Sequence, residues 1–236
     1  LEVSILKSKE AAFPIVIAPF EVIGDSKDNV DIAKIIRDNL NRSGQFSALS
    51  TDSLVTNQID FNFWKEHKKD AVVFGKVEQI SPKVYNIYIY IYDVFSEKSL
   101  YQKKITVSNT GFRKMAHFLS DKIYYVLLGQ KGSFNTRLSY VTVTDNNSGG
   151  RTYRLQISDS DGENPQTIVR QSNPILSPAW SKDQQKLAYV SFKNNRSEVF
   201  VMTPFLKTIP IKLPKFDGIA SSPTFHPSGD SIALTI

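Results

Sequence analysis

Between Val84 and Phe95 the chain alternates with a period of two. Ile87, Ile89 and Ile91 fall on one face and Tyr88, Tyr90 and Tyr92 on the other, which predicts a half-exposed antiparallel strand. Leu100 to Val107 predicts the strand that pairs with it. Pro14 to Phe20 (PIVIAPF) is instead a nearly continuous apolar run, rich in β-branched residues and ended by Pro19, as expected of a central strand covered on both faces. Ala71 to Val77 (AVVFGKV) reads as a further strand. Helical spacing takes over elsewhere. After a polar turn through Gly24, Asp25 and Ser26, Ile32, Ile35, Ile36 and Leu40 share one stripe, and Gly44 supplies a left-handed stop. A shorter helix is predicted over Asp60 to His67, with Phe61, Trp64 and Phe63 the candidates to turn inward. Phe112, Met115, Ala116, Leu119, Ile123 and Val126 then trace one face of a long helix stopped at Gly129. Residues 1–130 therefore read as an α/β N-terminal domain.

After that helix the pattern changes to short strands and turns, and it repeats. Ser177-Pro178-Ala179-Trp180-Ser181 and Lys186-Leu187-Ala188-Tyr189-Val190 recur 45 residues later as Ser222-Pro223-Thr224-Phe225-His226 and Ser231-Ile232-Ala233-Leu234-Thr235. Leu155 and Ile157 match Val199 and Val201 at an offset of 44, and Asp161-Gly162 marks a hairpin turn. A period of about 40 to 50 residues built only from strands is the signature of propeller blades. In this reading the Ser-Pro pair ends the loop entering each blade, and Trp180 or Phe225 fills the space between stacked blades. Gly229 supplies a left-handed turn residue where the first copy has Gln184, which predicts a looser first turn. Propellers close with about four to eight blades. Residues 131–236 hold only the first two and the start of the next, so the chain reads either as the front part of a longer protein or as one whose open strand edge is covered from outside.

Composition narrows the function classes. Hydrophobic residues make up 41% of the 236 and charged residues 22%, values of an ordinary globular chain. The formal charge of +6, from 29 Lys and Arg against 23 Asp and Glu, is spread over both halves without a concentrated basic patch, so no nucleic-acid partner is expected. The tyrosine face of the alternating strand could stack bases or lie covered beneath a helix, and no interleaved Arg or Lys run supports stacking. With no cysteine, disulfides, thiolate metal sites and a Cys nucleophile are excluded, which suits an oxidising compartment. No apolar run approaches the roughly 18 residues of a membrane span, so direct membrane insertion is not expected. The start at Leu1 rather than Met fits removal of a signal peptide.

Candidate chemistry is sparse. His67, His117 and His226 lack a neighbouring His or carboxylate at ligand spacing, and His226 occupies the turn position that Ser181 holds in the first copy. Asp159-Ser160-Asp161-Gly162 resembles half of a calcium loop without its remaining ligands and reads as a turn. No Gly-x-Ser-x-Gly elbow occurs, as the propeller-bearing serine peptidases would require in their hydrolase part. No catalytic residue, cofactor or metal is therefore expected. The remaining candidates are surfaces. Loops leading into the innermost strands, Ser172 to Leu176 and Gly218 to Ser222, converge around a propeller channel and offer Asn173, Pro174, Ile175, Ile219, Ser221 and Ser222 for contact. At the other end, Leu1, Val3 and Ile5 alternate with Glu2 and Ser4 ahead of Leu6, a pattern that suits strand addition to a partner or pairing within the chain's own domain.

Several segments together resemble the TolB family of the Tol-Pal envelope system. They are Pro14 to Phe20, Asn39 to Phe46 (NLNRSGQF), Asp70 to Gly75 (DAVVFG), Gly129 to Val141 (GQKGSFNTRLSYV) and Ser177 to Val190. The resemblance implies an α/β N-terminal domain joined to a six-bladed propeller, with no catalytic activity and a periplasmic location. It also implies a propeller that binds the lipoprotein Pal at its channel mouth, and an N-terminal segment, here Leu1 to Lys7, that engages TolA. Where the family carries Ser-Pro-Asp-Gly at the blade turn, this chain has Ser181-Lys182-Asp183-Gln184 and His226-Pro227-Ser228-Gly229. A generic propeller adaptor, or the non-catalytic propeller of a serine peptidase, is the alternative reading.

Overall fold

The structure is a computed structural model, and it describes residues 12–24, 31–52, 55, 58–145, 149–206 and 208–236. The chain divides into two compact units, residues 1–135 and 136–236. The first contains β1 (Phe13–Ile17), β2 (Glu21–Ile23), α1 (Ile32–Arg42), β3 (Phe46–Leu49), α2 (Phe61–Glu66), β4 (Ala71–Ser81), β5 (Val84–Asp93), β6 (Ser99–Ser108) and α3 (Phe112–Leu128). Its sheet runs β3-β1-β4-β5-β6, with β2 pairing the far end of β4. β1 is parallel to both neighbours, and β4, β5 and β6 form an antiparallel meander.

Strict alternation sorts this sheet into two cores. Ile15, Ile17, Val73, Ile87, Ile89 and Ile91 face Ile32, Ile36 and Leu40 of α1 and Phe112, Ala116, Leu119 and Ile123 of α3. Each of these large aliphatic side chains contributes about 1.5–3 kcal/mol by leaving water. On the opposite face Val16, Ala18, Val72 and Phe74 pack with Trp64 and Val94. Tyr90 and Tyr92 stack on Phe74 there, at 5.0 and 6.0 Å between ring centroids, so two of the three tyrosines are packed beneath α2 and not laid out for bases. Tyr88 lies beyond this cluster and donates to the Glu78 carboxylate at 2.9 Å.

Several expectations change in detail. Trp64 is buried and Phe61 packs on Tyr92 at 6.0 Å between ring centroids, but Phe63 turns outward at 43% exposure, where it lies against the His67 ring one turn on. Asn39, inside the α1 stripe, donates to His117 Nδ1 and to Ser120 Oγ, each at 2.9 Å, and so joins α1 to α3 through a buried polar contact. Asn41 exchanges two hydrogen bonds with the backbone of Ala48, imitating a strand partner at the start of the sheet. The chain after α3 stays with the first unit: Asp121 accepts from the amides of Phe134 (2.7 Å) and Asn135 (3.0 Å), and Phe134 is buried. Gly132 lies so close that a Cβ there would sit 2.4 Å from an Asp121 carboxylate oxygen.

The second unit is all antiparallel β. β7 (Arg137–Asp145), β8 (Arg151–Asp159) and β9 (Gln166–Gln171) form one sheet, while β10 (Ile175–Trp180), β11 (Leu187–Ser191), β12 (Glu198–Met202) and β13 (Ile211–Lys212) form a second. β14 (Ser221–Phe225) and β15 (Ile232–Thr235) form a hairpin. The layers bury one another: Leu155 and Ile157 pack with Ile175, Leu187, Tyr189 and Met202, and Val190 and Val199 pack with Ala220, Phe216 and Leu234. Face-to-face stacking of short meanders is propeller architecture. Trp180 lies within the first of these layers and stacks on Phe205, 6.1 Å between centroids and 7° from parallel.

Candidate functional site

The Ser-Pro pairs do not end loops. They lie inside β10 and β14, where Ser177 and Ser222 both take a φ of +49°. Three steps from Leu176 to Ala179 oppose two steps of β11, and Ser221 to Thr224 do the same against β15, so each strand carries a one-residue bulge at the same place in the repeat. Proline suits this position because a bulged residue has no ladder partner to supply with an N–H. The expected loops therefore shrink to residues 172–174 and 218–220, with the remaining candidate residues on the strands themselves.

The turns that follow the bulges are also equivalent. Ser181 N donates to Lys186 O and Gln184 N to Ser181 O, at 2.9 and 2.8 Å; His226 N and Gly229 N make the matching bonds at 2.9 and 2.8 Å. Gln184 adopts a φ of +58° where Gly229 has +78°, so the first turn is strained in its backbone and not looser. The Asp183 carboxylate helps to hold it, accepting from Ser181 Oγ at 2.5 Å and from Gln185 N at 3.0 Å, and these bonds draw the Asp183 pKa below its ordinary value. His226 accepts from Ser228 N at 3.2 Å, filling the Ser181 position as expected.

β10 and β14 pack as neighbours, which brings the two candidate segments side by side. Gln171 fixes the first: its Nε2 donates to Asn173 O (2.9 Å) and Pro174 O (3.0 Å), and its Oε1 accepts from Ser191 Oγ (3.0 Å). Ile175 is buried at 1% exposure, so it supports the rim from the blade core and presents no side chain to a partner. Ala220, its repeat equivalent, is buried as well. The outward side chains are Ile219 at 71% and Leu176 at 48% exposure, with Ser222 exposed and Asn173, Pro174 and Ser221 half-buried. Leu176 belongs to the rim, although the spacing argument did not single it out; an apolar residue just before the Ser-Pro pair was the available signal. Neither segment contains an acid, a base or a metal-ligating side chain, so what this rim offers is shape, apolar contact and backbone or hydroxyl hydrogen bonds. Leu1, Glu2, Val3, Ser4, Ile5 and Leu6 lie outside the described residues.

Beside the rim, Glu198 is a buried carboxylate that sequence patterning did not reveal. It accepts from Asn194 Nδ2 (2.8 Å), Arg196 Nε (3.1 Å) and Lys212 Nζ (2.9 Å), and the Lys212 bond leads the effects that hold its pKa below the usual glutamate range.

Comparison with known proteins agrees with this architecture. Residues 1–100 match the family model of the TolB amino-terminal domain, and residues 124–236 match that of the TolB beta propeller domain. The Tol-Pal system protein TolB of Ruthia magnifica subsp. Calyptogena magnifica is 57% identical over all 236 residues, which is 56% of that protein's length. The protein of the same name from Vesicomyosocius okutanii subsp. Calyptogena okutanii (strain HA) is 52% identical over the same span. The crystal structure of TolB from Acinetobacter baumannii superposes with a TM-score of 0.82 at 32% identity, covering 94% of this chain and 54% of that one. The chain spans about half the length of the curated relatives it matches. With an α/β unit, stacked blades and similarity along all 236 residues of this chain in agreement, the chain belongs to the TolB family.

Proposed function

We propose that this chain acts without catalysis in the periplasm, as an interaction protein of the Tol-Pal system. It supports outer-membrane integrity and envelope constriction at division. The observation that carries this reading is the match of the whole chain to Tol-Pal system proteins TolB. The rim chemistry is compatible with it, because an uncharged surface of Ile219, Leu176 and Ser222 suits recognition of another protein more than turnover of a small molecule. In this reading Pal docks on the propeller rim and TolA takes up the segment from Leu1 to Lys7.

Calorimetric titration of Pal tests the first part, with the 57% identical Ruthia magnifica relative as comparator. Both are expected to bind, and the double substitution Leu176→Asp/Ile219→Asp in this chain is expected to weaken binding about tenfold or more, because apolar contact is what the rim offers. Undiminished affinity of that variant would refute the rim as the docking surface. For the second part, deletion of residues 1–7 is expected to abolish capture of TolA, and retention of full capture would overturn the assignment.

A further inference from the structure

β6 closes one side of the first sheet, and among the described residues it pairs with β5 alone. Its outer edge therefore presents backbone N–H and C=O groups without ladder partners among those residues. Beside it runs a groove of about 520 Å³, whose apolar lining comes from Tyr101, Ile105 and Val107 of the strand and Met115 and Phe118 of α3. The three strand residues occupy alternate positions on one face, the spacing at which an added strand would insert its own side chains. Phe118 is 39% exposed, a large ring left open on a helix otherwise buried on its inner side.

Among the described residues lysines dominate the charge along this edge, with the Glu78 carboxylate of β4 within electrostatic reach of Lys104. Among the described residues, Lys103 and Lys114 are the charged ones that line the groove, and Lys122 lies over the Tyr101 ring at 5.6 Å. Lys104 occupies the opposite face of the same strand, beside Tyr88 at 5.3 Å. These lysines disfavour a second copy of the chain as the occupant. Symmetric antiparallel pairing of two β6 strands centred on Lys103 or on Lys104 sets that lysine opposite its own copy, and like charges directly opposite destabilise a ladder. The same lysines attract acidic side chains.

We propose that the outer edge of β6 and its groove bind an extended acidic segment of a partner protein by strand addition. Apolar side chains of the segment enter the groove at every second position, and the intervening acidic ones meet Lys104 on the opposite face. The contact lies on the first unit and is separate from the propeller rim.

The test is fluorescence anisotropy at low salt with a labelled peptide of about ten residues, the length of an ordinary long strand, alternating valine and glutamate. The wild-type chain is expected to bind it. Methylating alternate backbone nitrogens on the peptide should weaken binding about tenfold or more, because strand addition depends on main-chain hydrogen bonds. The double substitution Lys103→Glu/Lys104→Glu should weaken it about tenfold, and a valine and lysine peptide should bind that variant better than the wild type. Circular dichroism confirms that the variant is folded. No binding, equal binding of the methylated peptide, or equal binding of the lysine peptide to the wild type would each overturn the proposal. Binding that emerges only after deletion of residues 1–11 would assign the groove to the chain's own N-terminus, and a dimer dispersed by the peptide would assign it to a second copy; either result overturns the proposal too.

Discussion

The two units bury their sheets by different means. In the first, one sheet is enclosed by its own helices, with α1 and α3 over one face and α2 over the other, so Ile15, Ile17, Ile87, Ile89 and Ile91 all reach 0% exposure. In the second, no helix covers a sheet among the described residues, and each layer depends on the next one: Leu155 and Leu187 are fully buried between layers, whereas Ile232 and Leu234 of the hairpin are only half-buried. An enclosed sheet concentrates its stability at the centre, but a stacked array distributes it by neighbour contacts. The same side chain should therefore matter by very different amounts in the two places.

The largest effect is expected for Ile89→Ala, which leaves a cavity in the enclosed core and should cost about 3–4 kcal/mol in urea denaturation of the first unit. Ile232→Ala, at a half-buried hairpin position, should cost about 1 kcal/mol or less in the second, and equal costs would erase the distinction. Next come the two blade turns. Gln184→Gly should stabilise the second unit by about 1 kcal/mol and Gly229→Gln destabilise it similarly, since both positions are left-handed and only one carries the glycine that tolerates it. Thermal unfolding of both variants measures this directly.

The smallest effect concerns acid. The folded-state pKa of Glu198 is depressed, so its contribution is present above the unfolded glutamate value of about 4.3 and is lost as pH falls below it. Glu198→Gln should cost about 1 kcal/mol at neutral pH, where Lys212 and Arg196 lose a charged acceptor, and should flatten the loss of second-unit stability below about pH 4.5. An unchanged acid profile would show that other carboxylates, Asp183 among them, carry that dependence.

How much of this was legible in the sequence follows from the range of the signal involved. β1, β4, β5 and the stripes of α1 and α3 were readable because period and burial coincide residue by residue. The 45-residue repeat gave the blades. β2 was not readable: three residues, Glu21 to Ile23, are too few for a period, and their strand geometry comes from pairing with Lys76 to Glu78. Asn39 carried no pattern signal of its own, and only the approach of His117 and Ser120, about 80 residues away, gives it a role. The rim was half legible. Counting along the repeat located Ile219 and Ser222 correctly on an exposed segment, but a count cannot detect a bulge, so it listed the buried Ile175 and passed over Leu176.

That bulge separates two demands on one strand. Because the extra residue at Ser177 and at Ser222 resets the alternation, the residues before it are not in phase with Ala179 and Trp180, or with Thr224 and Phe225, behind it. The leading residues of each blade can thus change their chemistry without shifting which side chains enter the layer beneath. A recognition surface built this way can diverge blade by blade while the stack that supports it is inherited intact.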